Sequence, residues 1–273
     1  MSSRLRIAIA GASGKMGQLL IQEVFLHPEV TLAAAIDQPG SDLVGQDAGT
    51  RLGLHTGVKV SSEVQSISEA QVLIDFTRPE ATQAHLAACE DCGLALVLGT
   101  TGHDAAALAA LNQFARSQRL VFAPNMSVGV NIVLKLLEVA GAALAQGYDI
   151  EVIEAHHRQK VDAPSGTALK MGEVVARAAG RQWPQDAVYA REGHTGPRSD
   201  AEIGFSVIRG GDIVGDHTVL FAGMGERIEI THRSSSRATY AQGAIRAALF
   251  LQHAAPGCYD MSQVLRLSNS RAN

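Results

Sequence analysis

Short apolar runs alternate with longer segments of helical periodicity through the first half of the chain. The runs at residues 5–10, 30–36, 71–76, 94–98 and 119–122 have the length and apolar character of buried strands. Helical patterns at 18–25, 80–92 and 104–117 lie between them. This alternation is typical of a parallel, doubly wound sheet, so the pattern predicts an α/β domain of Rossmann type. Its ligands should lie beyond the carboxyl ends of the strands.

The pattern changes after a long apolar helix at residues 128–145. An alternating run at 149–154 precedes a helix at 168–178, and four further strands follow at 188–191, 203–209, 212–221 and 227–232. No helices separate these four, and Gly210-Gly211 provides a turn, which favours a mixed or antiparallel sheet. The sequence therefore predicts a second, α+β domain. A helix at 237–254 and a short element at 261–267 end the chain, with Gly257 predicted to break the pattern between them.

Composition narrows the class of protein. The 273 residues suit two domains, 46% are apolar, and the net charge of −4 is spread without long like-charge runs. We therefore expect no nucleic-acid or membrane partner and, because no signal peptide or membrane-spanning run is seen, a cytoplasmic location. The three cysteines do not suit a disulfide scaffold. Cys89 and Cys92 form a C-x-x-C late in a predicted helix and are interpreted as incidental thiols rather than a metal or redox site.

A glycine-rich turn follows the first predicted strand. Gly11 to Gly17 reads G-x-x-G-x-x-G, and glycines at this spacing let the backbone approach a pyrophosphate at a helix N-terminus. Asp37 ends the second strand about 20 residues later, where an acidic residue accepts hydrogen bonds from the adenosine ribose. Gln38 stands where NADP sites often carry arginine, which favours NAD, although Arg51 or Lys59 could still fold over the ribose.

A second group of functional residues follows the strand at 149–154. His156, His157, Arg158 and Lys160 leave the strand end together, and Pro164 to Thr167 then open a helix. Titratable groups, cations and backbone N–H donors at one place suit a small anionic substrate. A solvated basic loop is the alternative reading.

Both groups belong to motifs that closely resemble the 4-hydroxy-tetrahydrodipicolinate reductase (dihydrodipicolinate reductase) family. The motifs are AGASGKMG, IDFTRPE, GTTG, EAHHRQKVDAPSGTAL, REGHTG, RGGDIVGDH and GERIEITHRSSSR. The resemblance implies an oxidoreductase of the diaminopimelate route to lysine, which reduces a cyclic imine dicarboxylate with NADH or NADPH. It also implies a homotetramer with a dinucleotide-binding domain at 1–127 plus 240–273 and a substrate-binding and tetramerisation domain at 128–239.

The resemblance also implies roles for individual residues. His156 matches the catalytic proton donor and acceptor, and Lys160 matches a second proton donor. Substrate-binding positions are matched by His157, Gly166 and Thr167. Cofactor contacts are matched by Gly11, Ala12, Ser13, Gly14, Lys15, Met16, Asp37, Gln38, Gly99, Thr100, Thr101, Ala123, Pro124, Asn125 and Met126. No metal is implied.

The residues by themselves leave several roles open. Either His156 or Lys160 could deliver the proton that accompanies hydride transfer. Arg209 and Arg237 could bind a substrate carboxylate, with a solvated or interface role equally open. The remaining histidines His194, His217 and His232 are predicted to lie on strands.

Three other classes of protein compete with a reductase. A zinc hydrolase would need metal-ligand spacing, and a phosphorylating semialdehyde dehydrogenase would need a nucleophilic cysteine, neither of which the sequence offers. A non-catalytic NAD sensor is harder to exclude. A sensor, however, needs no acid beside a carboxylate site, and the crowded stretch from His156 to Thr167 argues against it.

Overall fold

The computed structural model describes residues 4–267 of the chain. Its strands are β1 (Leu5–Ala10), β2 (Val30–Ile36), β3 (Val60–Ser61), β4 (Val72–Asp75), β5 (Ala95–Leu98), β6 (Arg119–Phe122), β7 (Tyr148–His156), β8 (Ala187–Val188), β9 (Ile203–Arg209), β10 (Gly215–Gly223), β11 (Arg227–Ser234) and β12 (Gly257–Tyr259). Its α-helices are α1 (Lys15–Leu26), α2 (Pro79–Cys92), α3 (Ala105–Phe114), α4 (Val128–Ala143), α5 (Gly166–Ala178), α6 (Ala238–Leu251) and α7 (Met261–Val264).

The chain folds as two compact units. The first comprises Met1–Val128 together with Ala238–Asn273, and the second comprises Gly129–Arg237. The last six residues of the predicted 240–273 segment lie outside the described residues.

The first unit is built on a seven-stranded sheet in the order β12-β6-β5-β4-β1-β2-β3. Every neighbouring pair is parallel. Residues of β4 and β5 are buried on both faces, as near-continuous apolar strands require when helices cover both sides of a sheet. This arrangement confirms the predicted Rossmann-type α/β class.

Helix α6 packs against α1 and the sheet in the core of this unit. Ala244 and Ala248 join Leu20 and Ile21 in one buried cluster. The approach is close enough that a Cβ added to Gly243 would lie 1.7 Å from the carbonyl oxygen of Met126. Small residues along α6 therefore let the C-terminal segment complete the N-terminal fold.

The sequence patterns did not predict four short elements. Gly257 was expected only to break the pattern, but it begins β12, which pairs in parallel with β6 at the edge of the sheet. The two-residue β3 and the 3₁₀ helices Thr50–Leu52 and Val64–Glu69 were not predicted. Strands of two or three residues carry no periodicity of their own, and an existing sheet edge supplies their hydrogen bonds.

The second unit contains a five-stranded mixed sheet in the order β11-β10-β7-β9-β8. The pairs β10–β11 and β10–β7 are antiparallel, whereas β7–β9 and β8–β9 are parallel. Helices α4 and α5 contribute Leu137 and Met171 to a core that also holds Val152, Phe205 and Val219 from the sheet. The predicted mixed sheet is thus confirmed.

Two predicted strand boundaries in this unit were wrong. The strand expected at 212–221 begins at Gly215, because Gly211 adopts a left-handed φ of 51° and carries the turn further along the chain. The strand expected at 188–191 is the shorter β8. His194 consequently follows β8 in a loop rather than on a strand, whereas His217 and His232 are strand residues as predicted.

Among residues 4–267, no helix combines the length and apolar character that crossing a bilayer would demand.

Candidate active site and nucleotide cleft

The glycine turn in the first unit forms a tight backbone cradle. Gly11 adopts a left-handed φ of 70°, and its carbonyl oxygen accepts a hydrogen bond from the Gly14 amide at 3.0 Å. A Cβ added to Gly17 would lie 2.0 Å from the same oxygen, so this position requires glycine. Helix α1 begins at Lys15, directly after the turn. The cradle therefore presents the amide end of a helix without intervening side chains.

A cleft of about 860 Å³ lies over this cradle within the first unit. Of the predicted cofactor residues, it is lined by Gly11, Ser13, Gly14, Lys15, Met16, Asp37 and Gln38. Ala12 is fully buried behind the turn. The remaining predicted cofactor positions, at 99–101 and 123–126, are not part of its lining.

Asp37 fastens the glycine turn to the end of β2. Its carboxylate accepts hydrogen bonds from the Ser13 amide at 2.6 Å and the Gln38 amide at 2.8 Å. The Ser41 hydroxyl reaches the same group at 3.3 Å. Asp37 thus fixes the position of the cradle, in addition to any contact that it makes with a ligand.

The cations around the cleft are arranged differently from expectation. Arg51, which could have covered a ribose, pairs with Asp42 at 2.6 Å and donates to the Ser13 carbonyl at 3.0 Å, so it braces the outside of the turn. Lys59 does not line the cleft, whereas Arg78 does. No motif in the sequence marks Arg78 as a ligand contact, and the one signal for it is its place just beyond β4, at the carboxyl edge of the sheet.

A buried acid supports the wall of the cleft. Asp75, fully buried at the end of β4, accepts hydrogen bonds from the Thr77 amide at 2.7 Å and from His85 Nδ1 at 2.7 Å. Burial opposes its ionisation, but the His85 and Thr77 hydrogen bonds outweigh burial and lower the pKa of Asp75. His85 itself lines the cleft, and it too was missed by the sequence analysis.

The two predicted turns beyond β5 and β6 stand at the same edge of the sheet. Thr100 is buried, with its hydroxyl 3.4 Å from Asp75, whereas Thr101 is exposed. Ala123 and Met126 are buried, and Pro124 is exposed. The Asn125 side chain accepts the Ser127 amide at 2.9 Å.

In the second unit, sheet register surrounds the catalytic candidate His156 with other polar side chains. Glu154 and His156 are two residues apart on β7, so their side chains share one face. His217 on β10 stands directly opposite Glu154, and Arg209 on β9 stands opposite His156. Four polar side chains from three adjacent strands consequently meet on one face, at the end of β7.

Glu154 is the centre of this group and is almost fully buried. Its carboxylate accepts hydrogen bonds from His156 Nδ1, from Arg209 at 2.8 and 3.0 Å, and from the Ser165 amide at 3.1 Å. Burial opposes ionisation, yet the hydrogen bonds from Arg209, His156 and Ser165 outweigh it and lower the pKa of the Glu154 carboxyl. Glu154 is therefore a carboxylate held in the protein interior.

Arg209 neither projects into solvent nor stands free to bind a ligand. Besides its two bonds to Glu154, its guanidinium donates to the carbonyl oxygens of Ile208 at 2.8 Å and Asp162 at 2.7 Å. These bonds join β7, β9 and the loop that contains Lys160. Arg237, the other arginine considered for substrate, is exposed.

His217 is buried beside His156. The two rings meet edge to face at 5.0 Å, and His217 Nε2 lies 3.1 Å from the Ser165 hydroxyl. Burial, reinforced by the nearby His156 ring, lowers the pKa of His217 to about 4. His217 is accordingly a neutral imidazole at physiological pH, and it lies on a strand as the sequence predicts.

Helix α5 begins at Gly166, two residues before the start of the helix predicted at 168–178. Ser165 is its N-cap, and its hydroxyl accepts the Ala168 amide at 3.2 Å. Gly166 and Thr167 therefore occupy the first turn, where backbone N–H groups point away from the helix and favour an anion. Two of the three substrate-binding positions implied by the resemblance thus lie at a helix N-terminus.

The remaining catalytic candidate, Lys160, lies in the loop between β7 and α5. The Lys160 amide donates a hydrogen bond to the His157 carbonyl oxygen at 3.1 Å, which closes a turn. The ammonium pairs with Asp162 at 2.7 and 2.9 Å, and this hydrogen bond lowers the pKa of Asp162. His157 is half-buried directly after β7. Both residues belong to the short loop that leads from β7 to the N-terminus of α5.

The side chains around Glu154 have the spacing of a metal site, but the Glu154 carboxylate is already fully hydrogen-bonded. Glu154, His156 and His217 place one potential ligand atom each within 4.8 Å of one another. A carboxylate offers about four lone-pair positions, and Glu154 fills them with hydrogen bonds, two of them to the cationic Arg209. A metal ion would have to displace that guanidinium, so a zinc hydrolase is disfavoured.

Two of the three thiols, those of Cys89 and Cys258, do not suit nucleophilic catalysis. Cys89 is fully buried in α2, and burial strongly raises the pKa of its thiol. Burial also raises the pKa of Cys258 on the edge strand β12. A nucleophilic cysteine needs a lowered pKa, which argues against the semialdehyde dehydrogenase alternative.

Comparison with known families decides between the remaining classes. The model of the dihydrodipicolinate reductase N-terminus matches residues 5–126, and that of the dihydrodipicolinate reductase C-terminus matches residues 129–265. The chain belongs to the dihydrodipicolinate reductase family. The resemblance read from the sequence motifs is thereby confirmed, and with it the assignment to the oxidoreductases.

Individual members of the family align over nearly the whole chain. The 4-hydroxy-tetrahydrodipicolinate reductase of Cupriavidus metallidurans is 62% identical over 264 residues, covering 96% of this chain and 100% of the relative. That of Ralstonia nicotianae is 61% identical with the same coverage. The dipicolinate-bound dihydrodipicolinate reductase structure from Paenisporosarcina sp. TG-14 superposes with a TM-score of 0.76 at 25% identity, covering 94% of this chain and 97% of that one.

The lowered pKa of His217 predicts a specific loss of stability in acid. The ring is neutral in the folded chain down to about pH 4 but takes up a proton near pH 6.5 when unfolded. Its contribution is present above pH 6.5 and is lost as the pH falls toward 4, by at most about 3 kcal/mol. Urea unfolding of the wild type and of His217→Gln at pH 7.5 and 4.5 measures this loss. The variant should lose less stability between the two pH values, and equal losses would contradict the assignment.

Proposed function

We propose that the chain reduces 4-hydroxy-tetrahydrodipicolinate, by way of dihydrodipicolinate, to tetrahydrodipicolinate with loss of water, in the diaminopimelate route to lysine. The reductant is NADH or NADPH. The observation that carries the proposal is the loop from β7 to α5, where His156, Lys160 and the N-terminus of α5 stand together in a member of this reductase family. A dicarboxylate needs cationic and N–H donors, and its reduction needs an acid.

The glycine cradle fits the pyrophosphate of a dinucleotide. The absence of side chains at Gly11, Gly14 and Gly17 leaves backbone N–H groups at the start of α1 open to an anion. Asp37 and Gln38 line the same cleft and would meet the adenosine ribose. A carboxylate beside a neutral amide favours NADH. We assign the turns 99–101 and 123–126, at the carboxyl edge of β5 and β6, to contacts with the nicotinamide half.

The bound cofactor would supply a hydride, and residues of the second unit would supply the proton and hold the substrate. His156 Nε2 is proposed to give the proton as general acid. The Lys160 ammonium is proposed as a second donor that also attracts a carboxylate. His157, Gly166 and Thr167 are proposed to bind the carboxylates, the last two through the start of α5.

The sheet of the second unit is proposed to form a homotetramer. Helices cover one face of the sheet, while the other presents partly or well exposed residues such as Ile153, Ile208 and Leu220. We accordingly assign residues 128–239 to substrate binding and tetramerisation, and 1–127 with 240–273 to dinucleotide binding. Sedimentation of the purified chain should give the mass of four 28.7 kDa copies. A monomer would contradict this assignment.

A coupled assay tests the activity. The aldol product of pyruvate and aspartate semialdehyde is supplied, and oxidation of NADH and of NADPH is followed in parallel. His156→Ala should lower kcat by roughly 10²–10⁴-fold, as loss of a general acid does, with cofactor affinity nearly unchanged. Turnover equal to that of the wild type would remove His156 from the role of acid.

The same assay distinguishes the roles of the two proposed proton donors. Lys160→Ala should lower kcat and raise KM, because the ammonium serves both proton transfer and carboxylate binding. An effect on KM alone would leave it as a binding group. A wild-type chain that binds cofactor tightly but turns over no substrate would contradict the proposed reaction.

Gln38→Arg tests the ribose pocket. A guanidinium at this position would pair with the 2′-phosphate of NADPH, so the ratio of kcat/KM for NADPH to that for NADH should rise. Gln38→Met, which removes the amide without adding charge, is the matched control. If the arginine variant leaves the ratio at the wild-type value, the ribose lies elsewhere, and Arg78 is the next cation to test.

A further inference from the structure

The buried carboxylate of Glu154 determines which nitrogen of His156 carries a proton. An ionised carboxylate can only accept hydrogen bonds, so His156 Nδ1 must be the donor in their contact. The second ring nitrogen, Nε2, has no hydrogen bond within residues 4–267 and is not sealed from solvent. A Cβ on Gly215 would lie 3.1 Å from Nε2, so glycine there keeps the atom uncrowded. Nε2 is therefore the nitrogen available to a substrate.

Arg209 explains why Glu154 is ionised away from water. Its guanidinium forms two hydrogen bonds to the carboxylate, a fork geometry that strongly favours the charged form. Because Arg209 also donates to the Asp162 carbonyl, it ties the acid to the loop that carries Lys160. The pair forms one rigid link between two strands and the loop.

Ser165 extends this link to the carboxylate-binding helix. The Ser165 amide donates to Glu154 at 3.1 Å, while the Ser165 hydroxyl caps α5. One carboxylate thus contacts both the proposed acid and the residue that caps α5.

We propose that Glu154 is a positioning residue for His156, with Arg209 as its fixed counter-ion. The proposal rests on the proposed function. The His156 imidazolium donates Nδ1–H to Glu154 and Nε2–H to the substrate. When the Nε2 proton leaves, the ring becomes neutral as the Nδ1–H tautomer and Glu154 stays ionised. Glu154 never takes the proton, but its charge favours the imidazolium that precedes transfer and holds the ring in one orientation.

Glu154→Gln removes the charge and retains the shape of the side chain. We expect kcat to fall about 10- to 100-fold, less than on loss of the acid itself, with the KM for substrate and the affinity for NADH nearly unchanged. A general acid fails as the pH rises, and without the carboxylate the imidazolium is less favoured. The alkaline limb of the kcat profile should therefore move to lower pH by about one unit. Among the described residues, the charged or titratable groups around His156 are Glu154 and His217, which contact its ring, and Arg209, which stands opposite it on β9. Beyond His217, His232 on β11 lies on the same face, and the Lys160–Asp162 pair belongs to the loop that follows β7.

Glu151→Gln is the matched control. Glu151 lies on the same strand but on the opposite face, where it also pairs with two arginines, Arg191 and Arg198. Its substitution removes an equivalent ion-paired charge from β7 and should leave kcat and the pH profile unchanged. If Glu154→Gln and Glu151→Gln have the same kcat and the same alkaline limb, or if Glu154→Gln changes only KM, Glu154 does not position the acid.

A measurement on the wild type keeps the test independent of how the variants fold. Two-dimensional ¹H–¹⁵N spectra of histidine-labelled protein, assigned with His156→Ala, distinguish the two neutral tautomers. Protonation at Nδ1 supports the proposal, and protonation at Nε2 overturns it. Absence of reductase turnover in the wild type would instead contradict the proposed function, while the tautomer would still report on the contact with Glu154.

Discussion

An ionised carboxylate inside a protein must find hydrogen-bond donors for its lone pairs, and the face of the second unit that carries the candidate active site is arranged around that requirement. Glu154 contacts a strand neighbour, an arginine on the adjacent strand and the residue that caps α5. Removing any one donor would leave part of a buried charge unsatisfied, which is costly in a low-dielectric interior. The same constraint that stabilises the network therefore fixes His156, Arg209 and Ser165 relative to one another.

The first unit faces the opposite situation, because the charge that needs hydrogen-bond donors there belongs to the nucleotide and not to the protein. Its cradle offers N–H groups and empty space instead of side chains, and Gly17 shows how little room the backbone leaves. Asp37 and Arg51 do not fill the cradle but hold the Ser13 turn from either side. A site for a large anion is thus shaped by backbone, and polar side chains around it serve first to fix that backbone.

Local patterns predicted most elements correctly because the strands of the first unit are apolar and the helices long. The predicted boundaries were wrong where a short element depends on a neighbouring part of the fold. Strand β12 forms because β6 offers a free sheet edge, and the start of β10 depends on the turn at Gly211. Arg78 and His85 were missed for a related reason. Their local sequence does not show that they line a cleft. That becomes visible only when β1 and β4 are paired side by side in the sheet.

The sequence by itself determined the α/β class, the glycine cradle, the family and the short stretch that holds His156 and Lys160, since each is encoded in contiguous residues. Only the tertiary structure decided what surrounds His156. Glu154 is a neighbour along the chain, but Arg209 and His217 come from strands more than fifty residues away, brought alongside by the register of β9 and β10. Arg209 could be read locally as a ligand for substrate or as a surface charge. Sheet pairing makes it the counter-ion of a buried carboxylate, because hydrogen bonds between strands, which no local pattern records, set which side chains meet.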